Sequence, residues 1–318
     1  MDLTIPINDN IFNLRVTIIA KQGSNYFLER NLNTNTFFAI GGRVKYGETF
    51  LQAAKREIKE EIGLPNPTFQ FITILENFYL SDNKINTHEH TYILFLQIPQ
   101  TAKLQLLKNI HAINEQELQN IVLLPEKIRQ LLFANASTIP KLTTNKNAIF
   151  PPAADDIVFS LPIKWRETYP CDLAMRVSAI IKTKKGILVD TTAEIMQHSV
   201  LVGGKIKIGE EIEHALTREL KEELSIIPYS FRFRGIGEDY FMYNKLRVHF
   251  ISYYFVVEID EEQLVPTTEV NLAYYTQKDF EQRPMKLASA KSFVLDETIT
   301  HSVSYDSIVT DTASDSNL

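Results

Sequence analysis

The chain has 318 residues, 44% apolar and 23% charged, the proportions of an ordinary folded protein with room for about two domains. Its net charge of −6 excludes a broad electrostatic hold on nucleic acid, which needs many cations on phosphates, but leaves room for a small phosphorylated ligand. One cysteine, Cys171, excludes an internal disulfide and a cysteine-built zinc site; with no apolar run of ~18 residues and no signal-peptide pattern in MDLTIPINDN, a cytoplasmic location is expected.

In chain order, a strand rich in branched residues is predicted at 15–21 and a short one at 26–30. A Gly-Gly loop at Gly41 and Gly42 leads into a helix from Thr49 to Ile62. β-rich stretches follow at 68–76 and 92–98, then a helical element at 115–132 broken at Pro125. Residues 134–160, rich in Ala, Asn, Thr and Pro, are expected as a linker. The same order then returns, with strands at 176–182 and 186–190, a second Gly-Gly pair, a helix, strands at 231–236 and 247–259, and a helical stretch at 277–291 broken at Pro284.

The return is also literal. AIGGRVKYGETFLQAAKREIKEEIGL from Ala39 recurs as LVGGKIKIGEEIEHALTRELKEELSI from Leu201, 162 positions on. LRVTIIA from Leu14 recurs as MRVSAII from Met175, and downstream the segment from Ile74 parallels the one from Gly235, now at an offset of 161. That spacing suits a duplicated domain rather than a solenoid repeat. The expected division is a first domain at 1–133, the linker at 134–160, a second domain at 161–300 and a fraying tail at 301–318 rich in Ser, Thr and Asp. The class is α+β with mixed sheets, not regular βαβ alternation.

Within the first helix, Thr49 and Gln52 fit a capping box, and Leu51, Ala54, Ile58 and Ile62 form an apolar stripe. Gly63 sits where a helix stops and φ turns positive. Glu57, Glu60 and Glu61 lie at i, i+3 and i+4 and share a face, where their charges repel. Such a face is either simply solvated or a site for hard divalent cations, which prefer carboxylate oxygens. The wider pattern separates the two. Gly42, Glu48, Arg56, Glu57, Glu60, Glu61 and Gly63, with aliphatic Ile58 and Leu64, match a seven-position signature. At ~6% usage per residue type, it arises by chance about once in 10⁸ start points. This signature resembles the box of the Nudix (MutT-like) hydrolase family. Gly204, Glu210, Arg218, Glu219, Glu222 and Glu223, with Leu220 and Ile226, repeat it. They depart only at Ser225, where a left-handed backbone would be strained.

The resemblance covers both halves and implies two tandem α/β/α sandwich domains, each with the box as a loop–helix–loop. It implies that Glu57, Glu60 and Glu61, with the Gly41 carbonyl, hold Mg²⁺ or Mn²⁺, and that Glu219, Glu222, Glu223 and Gly203 do so in the second domain. Glu48 with Arg56, and Glu210 with Arg218, are expected to brace the loop on the helix, beside Gly42 and Gly204. The implied activity is hydrolysis of a nucleoside diphosphate linked to a further group, with water as nucleophile. Glu57 and Glu89 are the candidate general bases, and the competing reading of Glu89 is an exposed strand residue. His88 and His90 are expected to be structural or exposed, because metal ligation needs partners not evident nearby. With one deletion Glu89 aligns with Phe250, so the first domain is expected to be the better catalyst. The alternative is that the second domain binds or senses a nucleotide without turnover. Arg15 and Arg176 are candidates for substrate phosphate, against a surface ion pair, and Phe37, Phe38 and Tyr46 for stacking on a base, against core packing. The two domains are expected to pack as an internal pseudo-dimer. A transcription regulator on this fold ranks low, since no basic helix-turn-helix-like segment follows either box.

Overall fold

The structure, a computed structural model, describes residues 2–7, 10–81, 84–132, 142–146, 158–159, 171–192, 198–243, 246–265, 267–268 and 270–305. The chain divides into two compact units, Met1–Phe150 and Pro151–Leu318.

The first unit contains β1 (Thr4–Ile7), β2 (Asn10–Gln22), β3 (Asn25–Asn31), β4 (Thr36–Arg43), α1 (Phe50–Ile62), β5 (Gln70–Leu80) and β6 (Asn86–Gln97). It closes with β7 (Ile110–Asn114), β8 (Val122–Leu124), α2 (Glu126–Leu132) and β9 (Leu142–Lys146). Seven strands run in the order β7-β3-β4-β2-β6-β5-β9, with β1 on β2 and β8 on β4. The sheet is mixed: β2 pairs parallel with β6, whereas β4 on β2 and β5 on β6 are antiparallel. Alternation along the strands gives two faces. One is covered by α1, whose Phe50 stacks on Tyr92. The other buries Leu75 and Ile93 against Leu123, Ile128 and Leu132 around α2.

The second unit repeats the plan with β10 (Val158–Phe159), β11 (Cys171–Thr183), β12 (Gly186–Asp190), β13 (Val200–Leu201), α3 (Ile212–Leu224), β14 (Ser230–Tyr243) and β15 (Leu246–Glu258). β16 (Leu272–Tyr275), α4 (Gln277–Gln282), α5 (Ser289–Leu295) and β17 (His301–Tyr305) complete it. β11 pairs parallel with β15 as β2 does with β6.

Several expectations are corrected. Gly41 and Gly42 lie at the end of strand β4 rather than in a loop. β5 and β6 extend beyond 76 and before 92, because the polar run Asn86–Thr91 pairs both with β5 and with the start of β2. Residues 142–146, assigned to the linker, form β9 on β5, and residues 301–305, assigned to the tail, form β17 on β14. Register places Glu76 opposite His90 and Glu238 opposite Ile251. β5 and β14 therefore correspond at an offset of 162, and the single-residue deletion falls in the hairpin turn rather than before β5. Trp165, considered as a linker anchor, and the tail beyond 305 lie outside the described residues. Among the described residues no helix is long and apolar enough to cross a membrane.

Candidate active site

The paired glycines set the geometry. Gly41 has φ 146° and passes so close to Val16 that a Cβ would overlap its carbonyl oxygen. A Cβ on Gly42 would overlap the Glu57 carboxylate, so its absence lets that side chain lie against the strand. Gly203 and Gly204 stand in the same relation to Val177 and Glu219.

α1 starts at the expected capping box, Gln52 N donating to Thr49 Oγ1 at 3.1 Å and Thr49 N to Gln52 Oε1 at 2.8 Å. It buries Phe50, Ala53, Ala54, Glu57, Ile58 and Ile62, a face turned slightly from the stripe expected, with Leu51 only half-buried. Gly63 ends it at φ 69°. α3 lacks a side-chain cap and ends on Ser225 at φ 57°, the left-handed conformation that the sequence made a concern.

The brace between box loop and helix is present in both units. Glu48 Oε1 and Oε2 accept from Arg56 Nε and Nη2 at 2.8 and 2.9 Å, while Arg56 Nη2 also donates to the Arg43 carbonyl at 3.0 Å. Glu48 Oε2 further accepts from Lys45 N at 3.0 Å. Arg218, Glu210, Lys205 and Lys207 reproduce this fork, with contacts from 2.7 to 2.9 Å. A planar guanidinium gripping a carboxylate in two places and a carbonyl behind it fixes loop to helix in a way an ammonium cannot.

Glu57 and Glu61, and their counterparts Glu219 and Glu223, are held at electrostatic cost. Burial raises the Glu57 carboxyl, partly offset by the hydrogen bond and charge of Arg56. Glu61 is pushed up to about 8, first by burial, then by the charges of Glu29 and Glu57, against a hydrogen bond from the Gly41 backbone. Its Oε2 is buried and accepts no hydrogen bond. Glu60 is the exposed member and lies 3.5 Å from Arg56 Nη1. In the second unit Glu223 rises to about 7 through burial, despite accepting from Gly203 N at 2.8 Å and the nearby charge of Arg176, with Glu219 and Asp190 repelling it. Burial likewise raises Glu219. Glu29 on β3 and Asp190 on β12 are members of these clusters that sequence reasoning missed. Both are acids at equivalent repeat positions, 161 apart, which was the available signal.

A cavity of about 300 Å³ opens beside the first cluster, lined by Arg15, Phe38, Asn77, Tyr79 and Glu89 among others. Arg15 spans the two regions, donating from Nη2 to the Gly41 carbonyl at 3.1 Å while its charge acts on Glu57, Glu61 and Tyr79. The Gly41 carbonyl, expected to face a cation, is thus already accepting one hydrogen bond. Glu89 is buried, not an exposed strand residue. Its Oε1 accepts from Thr91 Oγ1 at 2.9 Å and its Oε2 from Tyr79 Oη at 3.3 Å. Of the aromatic candidates, Phe38 lines the cavity, Phe37 belongs to the α2-side core, and Tyr46 is not part of that lining.

The second unit changes this region. Phe250 and Phe241 replace Glu89 and Tyr79 and stack with ring centroids 6.2 Å apart. Asp239, in the place of Asn77, accepts from Ser289 N and Oγ at 2.9 and 2.6 Å, drawing α5 against the strand. Arg176 is buried and donates to the Leu201 carbonyl at 3.0 Å and to that of Gly203, and among the described residues it forms no surface ion pair.

His88 and His90 are buried rather than exposed, and the partner not evident in the sequence is Glu76, which lies against both rings.

A family model described as NUDIX domain matches the chain twice, at residues 14–142 and 172–295. Similar solved structures include a MutT protein from Bacillus halodurans at 14% identity, covering 42% of this chain and 91% of that one with a TM-score of 0.35. An Ap4A hydrolase from C. elegans is 19% identical over 38% and 92% of the two chains, TM-score 0.30. A dihydroneopterin triphosphate pyrophosphohydrolase from E. coli is 17% identical over 38% and 91%, TM-score 0.32.

Proposed function

The chain belongs to the Nudix hydrolase family in both of its units, and on that footing we propose that its first unit is the principal catalyst, a Mg²⁺- or Mn²⁺-dependent hydrolase of nucleoside diphosphates linked to a further group. The observation that carries this reading is Glu61, whose buried Oε2 accepts no hydrogen bond and whose charge is opposed by Glu29 and Glu57. A cluster of carboxylate oxygens with an unmet buried acceptor fits a hard divalent cation. Glu57, Glu60 and Glu61, with Glu29 beside them, would hold it. When bound, such ions neutralise phosphate charge and lower the pKa of water.

The protein's own groups supply the rest. Among the described residues Arg15 donates one side-chain hydrogen bond, to the Gly41 carbonyl, and it sits between the carboxylates and the cavity, where a guanidinium meets phosphate oxygens. Glu89, gripped through both oxygens by Thr91 and Tyr79, is fixed in orientation and accepts the proton released by the attacking water. Phe38 offers a face to an apolar or aromatic part of the substrate. The Glu48–Arg56 fork holds the helix so that these groups stay in register.

A second reading is favoured for the second unit alone. Phe250 removes the late carboxylate, Phe241 removes the hydroxyl that would hold it, and Ser289 engages Asp239. With Glu219, Glu222 and Glu223 retained, this unit binds metal and nucleotide but turns over slowly or on a different substrate. The test is turnover by the full chain over a panel of nucleoside diphosphates with Mg²⁺ and Mn²⁺, for wild type, Glu60→Gln and Glu222→Gln. Glu60→Gln should lower kcat by at least about 10²-fold, and Glu222→Gln much less, with nucleotide binding to the Glu60→Gln protein persisting in calorimetry. Loss of activity in Glu222→Gln with a silent Glu60→Gln would reverse the assignment.

A further inference from the structure

On the opposite face of β6 from Glu89, we propose that Glu76, His88 and His90 form a second and separate metal site, specific for a borderline divalent cation of the zinc class. All three side chains are fully buried, and their donor atoms converge. His88 Nε2 lies 3.0 Å from Glu76 Oε1, His90 Nε2 lies 3.3 Å from the same oxygen, and the two nitrogens are 3.1 Å apart. Four ligands arranged tetrahedrally around zinc at 2.0–2.1 Å are about 3.3 Å from one another. The triangle is therefore close to one face of that tetrahedron, and a cation seats roughly 1 Å out of its plane.

Two N–H donors fit this triangle poorly. If both Nε2 atoms carry hydrogen, both donate to Glu76 Oε1 and two donors confront each other across 3.1 Å. If only one carries hydrogen, the other nitrogen has nothing to offer the carboxylate. A cation takes a lone pair from all three atoms at once. The ligand set of two imidazoles and one carboxylate suits zinc and its neighbours rather than magnesium.

The second unit provides an internal comparison. Glu238 and His249 stand where Glu76 and His88 do, but Ile251 replaces His90, and the second imidazole, His301, comes from β17. There each ring has its own oxygen, His249 at 3.0 Å from Oε2 and His301 at 2.8 Å from Oε1. That clamp is fully satisfied by N–H donation, and it is not among the convergent groups that fit a metal among the described residues. The duplicated fold thus carries a hydrogen-bonded form and a convergent form of the same buried carboxylate.

The first-unit rings are also set in place before any ion arrives. Phe12 packs edge-on against both, at 5.4 and 5.0 Å, and Phe78 stacks on His88 at 4.2 Å. A cation here pins β5 to β6 directly behind Asn77, Tyr79 and Glu89, which makes its role one of holding the strands that line the cavity.

The experiment uses the full chain expressed in minimal medium supplemented with Co²⁺ or Zn²⁺. The cobalt protein should retain about one Co²⁺ per chain with visible d–d absorption, the zinc protein one Zn²⁺ whose X-ray absorption shows two imidazole ligands, and millimolar Mg²⁺ should displace neither. His90→Ile, the residue the second unit uses, and Glu76→Gln should each abolish the signal, whereas Glu60→Gln in the box should leave it. A folded wild-type protein that retains neither metal, or a cobalt signal that survives His90→Ile or vanishes in Glu60→Gln, overturns the proposal. If both site variants fail to fold, the imidazole count in the wild-type zinc spectrum decides it.

Discussion

Glu61→Gln isolates the cost of the box carboxylates. In the metal-free chain the Glu61 carboxyl sits at about 8 against an ordinary value of 4.5. The folded state therefore holds a proton that the unfolded state has released, and stability must fall as pH rises through that window. Were the full difference felt, the loss would approach about 5 kcal/mol. The residue as a whole is only half-buried and water screens much of the repulsion, so about 1–2 kcal/mol is expected. Glutamine has nearly the same shape and no charge. In chelator, Glu61→Gln should be more stable than wild type at pH 8 by that amount, little changed at pH 5, and less active with Mg²⁺ at either pH. Urea melts of the full chain at both pH values, with and without Mg²⁺, read this directly. The second unit contributes in the same direction through Glu223, raised to about 7, so the comparison between variant and wild type carries the result, not the absolute slope. If Glu61→Gln is no more stable than wild type at pH 8 in chelator, the carboxylate is not held at electrostatic cost and the reasoning fails.

Two further outcomes follow from the box. Arg56→Ala strips the guanidinium from both Glu48 oxygens in a half-buried fork, leaving only Lys45 N on Oε2, and should cost about 2–3 kcal/mol, with stability lowered at least as much as turnover; Arg56→Lys should not recover it, because an ammonium cannot grip two oxygens and the Arg43 carbonyl together. Ser225→Gly relieves a left-handed non-glycine residue at the end of α3 and should stabilise the chain by about 1 kcal/mol, whereas Gly63→Ser should destabilise it by more, since its Cβ would also meet Gln105 Cβ at 2.8 Å; denaturant midpoints check both.

Much of the site was legible because it is local. Thr49, Gln52 and Gly63 bound α1 by short-range hydrogen bonding and backbone freedom, and the fork from Arg56 to Glu48 spans only eight positions on a loop and helix of fixed spacing. The duplication exposed the second copy and the change from Glu89 to Phe250. What was misjudged lies where neighbours come from afar. Asn86–Thr91 has the composition of a turn, and it becomes strand because β2 and β5 flank it on both sides. Of the apolar stripe of α1, Ala54, Ile58 and Ile62 are buried and only Leu51 is half-exposed, because the edge of the buried face depends on where β2 and β4 lie. Residues 142–146 look like linker, and they are strand because β5 offers an open edge.

By itself the sequence determined the family, the duplication and the acidic face of each box helix, since these depend on residue type at fixed spacing along one element. Only the tertiary structure decided that Glu29 and Asp190 join those clusters, that Glu89 is held by Thr91 and Tyr79, and that Glu76 reaches across the sheet to His88 and His90. The reason is register: sheet pairing sets side chains distant in sequence within hydrogen-bond reach, and a shift of one residue would turn each to the opposite face.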